Sequence, residues 1–168
     1  MKNVPAFRHL DSGKYQENHG LYYDEFEIGD IIEHRPGRTV TETDNMCQCM
    51  INMHNHPLHI DYHYAEQTEF KKPLVSSLVT LSIIGGMCTN GTSAKAIANL
   101  GWKEITLSNP VFIGDTLYSE TEIIDMRLSK SKLNTGIVTF KTTGFNQKDL
   151  KIMCFTRMAL IPTSNYGK

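Results

Sequence analysis

The stretch that most narrows the possible folds is the small-residue-rich apolar run 75–88. Ser76 and Ser77 stand at its front, and either can cap a helix. Leu78, Val79, Leu81, Ile83, Ile84 and Met87 then leave no polar face, so a helix over roughly 76–90 is predicted to be enclosed. Gly85 and Gly86 weaken it by about 1 kcal/mol each relative to alanine, and their missing side chains would let another backbone approach. After the helix the pattern changes to period two. Segments 102–107, 116–126, 137–145 and 152–161 read as strands, with Leu117, Ser119, Thr121 and Ile123 on one face of the second. Gly114-Asp115, Asn134-Thr135-Gly136 and the polar stretch 146–150 are their turns. One apolar helix followed by four meandering antiparallel strands gives an α+β fold, a curved sheet wrapped around a central buried helix.

Upstream of that unit, residues 31–40 have strand character interrupted by Pro36 and Gly37, as in an edge strand with a break. Thr41 with Asp44 forms a weak capping box for a helix whose apolar stripe is Met46, Cys47, Met50, Ile51 and Met53. Pro57 stops that helix, and 61–68 reads as a short surface helix, with Asp61 either its cap or paired with a neighbour. Residues 1–20 read as a poorly ordered or surface-wrapping arm, 21–163 as the domain, and 164–168 as a tail.

At 168 residues, 40% hydrophobic and 21% charged, the chain suits one soluble domain. Its 17 basic and 18 acidic side chains are well mixed, which gives no electrostatic footprint for nucleic acid or an anionic membrane. No run approaches the ~18 apolar residues of a spanning helix. Cys47, Cys49, Cys88 and Cys154 lack the spacing of a zinc or redox motif, so a reducing cytoplasm is the expected location. No N-terminal stretch resembles a signal peptide.

The chemistry is expected between His54 and His59, where His-Asn-His-Pro-Leu-His packs three imidazoles into six residues. His59 alone would read as a satisfied core histidine, and His56 as a structural one. The His-x-His-x-x-His spacing invites a metal, but Leu58 stands where an acidic residue usually precedes the last histidine, and Pro57 stiffens the backbone. No metal is therefore expected. His9, His19, His34 and His63 read as surface residues. Arg35, Arg38, Lys71 and Lys72 are candidates for anionic ligand groups, with solvated surface charge the plainer reading.

Over residues 22–161 the chain resembles the MaoC-like hydratase family, which has the hot-dog fold. The family signature, an Asp, any residue, Asn-Pro, an apolar residue and a His, aligns with His54 to His59. Asp61, Ala65, Thr68 and Phe70 follow as in the family, and Pro110-Val111-Phe112-x-Gly114-Asp115-Thr116 matches its later strand-turn-strand. Two positions depart: His54 replaces the Asp and His56 the Asn. With Lys72 to Leu78 behind it, the pattern is most similar to the branch acting on mesaconyl-, itaconyl- or β-methylmalyl-CoA.

The resemblance implies a hydro-lyase that adds water to a 2-enoyl-CoA, or removes it from a 3-hydroxyacyl-CoA, without metal or redox cofactor. His59 is the expected acid/base, with His54 orienting the water or sharing its proton. Asn55 or His56 would hold the loop or bind the carbonyl. The helix N-terminus at Ser76, Ser77 and Leu78 would grip the thioester oxygen, Ser77 occupying the donor position, with Ser82 and Gly85 bordering the pocket. A homodimer or higher even oligomer, with sheets paired edge to edge, is expected. Two alternatives stay open: a non-catalytic acyl-CoA binding protein, suggested by the lost Asp, and a hot-dog thioesterase.

Overall fold

A computed structural model describes residues 4–167; residues 1–3 and 168, which belong to the expected arm and tail, lie outside the described residues. In chain order the strands are β1 (Phe7–Asp11), β2 (Lys14–Glu17), β3 (Ile31–Thr39), β4 (Ala98–Leu107), β5 (Thr116–Leu128), β6 (Thr135–Asn146) and β7 (Lys151–Pro162). Between β3 and β4 come the helices α1 (Glu42–Ile51), α2 (Pro57–Ile60), α3 (Tyr62–Glu66), α4 (Ser77–Met87) and α5 (Thr89–Thr92).

The main sheet has the order β3-β5-β6-β7-β4, with every neighbouring pair antiparallel. Only β5, β6 and β7 meander. The strand after the central helix pairs with β7 rather than β5, so the expected four-strand meander is corrected. The helical segment takes the chain from one sheet edge, β3, to the other, β4. The break expected near Pro36 appears as a register shift between His34 and Arg38. Within the expected arm, β1 and β2 form an exposed hairpin. It is tethered where Lys95 Nζ donates to Asn18 Oδ1 at 3.1 Å and to the Gly20 carbonyl at 2.8 Å.

On its sheet-facing side α4 buries Val79, Thr80 and Ile84 against Val40, Val111, Leu117, Ile152, Met153 and Phe155. Gly144 on β6 leaves room for the helix: a Cβ there would run into the Ile84 side chain. That role had been expected of Gly85 and Gly86. The opposite side of α4 is open, contrary to the enclosed helix expected. Leu78 is 47% exposed, and Ser77, Ser82 and Gly86 are also exposed. A single sheet covers one side of a helix only. In α1, likewise, the buried residues are Asn45 and Cys49, while Met50 and Ile51 of the apolar stripe face solvent.

His34 is a further correction, being 5% exposed rather than on the surface. Its Nε2 lies 2.8 Å from Thr121 Oγ1. Burial, then the positive charges of Arg157 and Arg35, push its pKa down to about 4. A native pKa below the unfolded value means that protonation favours unfolding. This contribution is intact above pH 6.5 and is lost as pH falls toward 4, on the order of 3 kcal/mol in full. Urea unfolding at pH 7 and pH 4.5 should show that loss, and His34→Gln should reduce the difference between the two pH values.

Candidate active site

The segment leading into α4 is held on three sides. Leu74 N–H donates to the Leu58 carbonyl at 3.2 Å, Val75 N–H to the Val111 carbonyl at 2.9 Å, and Ser76 N–H to Asn45 Oδ1 at 2.9 Å. Ser76 then caps the helix, its Oγ accepting from Leu78 N–H at 3.3 Å. The N–H groups of Ser76 and Leu78 are thereby engaged. Among the described residues Ser77 N–H has no such partner, and it lies at the positive end of the α4 dipole.

Pro57 ends no helix directly; it opens α2, where its fixed φ suits the first helical position. His56 is the N-cap, its Nδ1 accepting from Leu58 N–H at 3.2 Å. This turn presents His59, whose Nδ1 lies 3.0 Å from the Leu74 carbonyl oxygen. A carbonyl oxygen only accepts, so Nδ1 carries the proton and neutral His59 keeps its lone pair at Nε2. Burial holds the His59 pKa below the ordinary value; the Leu74 bond opposes this, and His54 and His56 add to the lowering. Neutral imidazole is therefore the resting form at pH 7, as a general base requires.

His59 and Ser77 border one cavity of about 380 Å³, together with Phe70, Thr80, Asn109 and Val111. The His54 ring centroid is 4.9 Å from that of His59, and the His56 centroid 5.7 Å. Asn55 is exposed. Leu78 and Ser82 lie apart from this cavity, around a second opening of about 530 Å³ with Leu81, Gly85 and Trp102. Of the candidate cations, Arg38 is occupied by Asp44 at 2.6 Å and Arg35 by Glu33 at 3.5 Å. Lys72 Nζ sits 4.0 Å from the centre of the Phe112 ring. Among the described residues no group of three His, Cys, Asp or Glu side chains converges on a metal position.

Asn45 was absent from the sequence reading. It is fully buried on α1, donating from Nδ2 to the His59 carbonyl at 2.8 Å while accepting from Ser76 N–H. One amide thus ties the histidine loop to the head of α4. The available signal was its position four residues before Cys49, on the same helix face.

A curved antiparallel sheet closed over one helix is the hot-dog arrangement. A conserved hypothetical protein from Mycobacterium tuberculosis, described as a double hotdog fold, superposes with TM-score 0.81 at 24% identity over 89% of this chain and 46% of its own. The MaoC like domain matches residues 25–145, and the chain belongs to that family. It is 26% identical to a mesaconyl-CoA hydratase of Cereibacter sphaeroides across 86% of this chain and 42% of the relative. The chain therefore spans less than half the length of that curated relative. A monoamine oxidase regulatory protein from Archaeoglobus fulgidus matches at its full scale: 31% identity, TM-score 0.77, 88% of this chain and 98% of that one.

Proposed function

We propose that this chain is an acyl-CoA hydratase/dehydratase acting at the 2,3 double bond of an enoyl-CoA with a short branched or dicarboxylic acyl group. The observation that carries this is the pairing of a free His59 Nε2 with the free Ser77 N–H around one cavity. In hydration, Nε2 takes a proton from water as the oxygen bonds to C3. Electron density moves onto the thioester oxygen, where Ser77 N–H and the α4 dipole stabilise it. His59 then returns the proton to C2 as the enolate collapses, so no external oxidant or metal is called for. His54 stands where the family carries a carboxylate, close enough to orient the water. The free thiols accord with a cytoplasmic setting.

The missing carboxylate favours one second reading, an acyl-CoA binder without turnover. Incubation with crotonyl-CoA and mesaconyl-CoA, following enoyl absorbance and free thiol together, separates them. Loss of enoyl absorbance alone supports hydration. Thiol release would mean a thioesterase, and binding with neither change would mean a carrier.

We propose further that two copies of the chain pair along a sheet edge. Strand β4 is a sheet edge on which Leu100, Trp102, Ile105 and Leu107 are exposed, and Trp102 borders the opening along α4. An unpaired apolar edge of this kind is a pairing surface. The relative of double hot-dog construction supplies two such units in one chain. Ile105→Lys is expected to shift the sedimentation coefficient from dimer to monomer; a variant that sediments like the parent would remove this edge as the interface.

A further inference from the structure

Strands β1 and β2 lie outside the matched family domain, which begins at residue 25. Arg8 and Gln16 are partners across these two strands, so their side chains share one face of the hairpin. Both border a cavity of about 250 Å³ whose far wall carries Lys95. Two cations stand at this cavity without a carboxylate partner. Lys95 Nζ places its three N–H groups on neutral oxygens, those of the Asn18 side chain and of the His19 and Gly20 carbonyls. Arg8 Nη2 donates to Gln16 Oε1 at 2.7 Å, and among the described residues its other N–H groups have no partner. Because Gln16 accepts through Oε1, its amide nitrogen remains free to donate. Among the described residues the ion pairs are His19–Glu17, Arg35–Glu33 and Arg38–Asp44. The nearby carboxylates are thus occupied, Glu17 by His19 at 3.1 Å and Glu25 by the Tyr22 N–H at 2.7 Å. Burial lowers the Lys95 pKa; Glu25 opposes this, and the charge of Arg8 adds to the lowering, so the two cations repel each other across the gap.

We infer that this cavity binds a phosphate monoester, held between Arg8 on the hairpin and Lys95 on the domain. Arg8 and the Gln16 amide donate to the phosphate oxygens, while Lys95, its hydrogens already placed, contributes charge alone. Two unpaired cations match a dianion with three acceptor oxygens, whereas a carboxylate would leave one of them uncompensated. The ligand also has a structural consequence. Every residue of β1 and β2 is exposed, and a two-stranded hairpin is marginal in water by itself. An anion between Arg8 and Lys95 turns a repulsion into two attractions and so docks the hairpin onto the domain. Lys95 precedes β4, whereas the catalytic cavity touches Leu107 at the end of that strand, a separation of about 30 Å of strand rise. That length favours a free phosphate-bearing molecule over the nucleotide end of a CoA held at His59.

The full chain is titrated calorimetrically at pH 7 with sodium phosphate and with 3′,5′-ADP, against sodium acetate at the same ionic strength. Phosphate should bind about tenfold or more tightly than acetate. Arg8→Gln should weaken phosphate by about tenfold or more, and Gln16→Leu by a smaller factor. Both positions are exposed, so the domain folds in either variant. Phosphate should also slow tryptic cleavage after Lys14, beside the hairpin turn, in the parent but not in Arg8→Gln. Scattered surface charge would not give that protection. Phosphate bound no more tightly than acetate, or held as well by Arg8→Gln as by the parent, overturns the inference. Where phosphate binds, tighter binding of 3′,5′-ADP identifies the nucleotide end of CoA as the ligand, and equal or weaker binding identifies a free phosphate compound. Neither measurement involves turnover, so failure of this site leaves the hydratase reading intact, and failure of that reading leaves this site intact.

Discussion

Enoyl-CoA hydration by His59→Asn is expected to be about 100- to 10,000-fold slower than by the parent, the range ascribed to a positioned acid or base. Asparagine is the informative replacement. Its Nδ2 overlies the histidine Nδ1 and can still donate to the Leu74 carbonyl, so the loop stays attached to the lead-in of α4. What disappears is the lone pair at Nε2. His59→Ala removes both and should lose activity to a similar degree. If the Asn variant turned over at the parental rate, His59 would hold the loop and the proton carrier would lie elsewhere. The pH dependence of kcat/KM provides a second check. Because burial depresses the His59 pKa, the acid limb should lie below pH 6.5, with activity falling as pH drops through the native pKa.

The second large effect is expected at Asn45. Asn45→Leu fits an apolar side chain into a fully buried position but leaves Ser76 N–H and the His59 carbonyl without their partner. Each stranded group costs about 1–3 kcal/mol, so urea unfolding should register a loss of roughly 2–6 kcal/mol. Activity should fall too, mainly in kcat, because the amide sets the distance between the histidine turn and the donors at Ser77. Unchanged unfolding free energy together with unchanged kcat would mean that the two segments hold their positions without it.

Local patterning located much of this molecule. The Thr41–Asp44 capping box, the Ser76 cap, the Asp61 cap and the alternation along β5 each depend on neighbours within a few residues, and each formed as read. The family signature likewise brought His54 and His59 together, since six residues around a proline cannot place those rings far apart. Long-range placement was less accessible. His34 has polar and charged neighbours in sequence, and only the pairing of β3 with β5 buries it beside Thr121, next to Gly91 of α5. Met50 and Ile51 fit a helical stripe but face outward, because no second layer lies over that side of α1.

Residue order alone thus specified the central helix, the strands of the main sheet, the caps and the histidine loop, since caps and periodicity are local properties of the backbone. Tertiary structure decided which edge β4 would take, that Asn45 would bridge two distant segments, and that Lys95 would reach back to the N-terminal hairpin. Those outcomes depend on contacts between residues tens of positions apart, where the cost of burying a polar group is set by partners that no local pattern names.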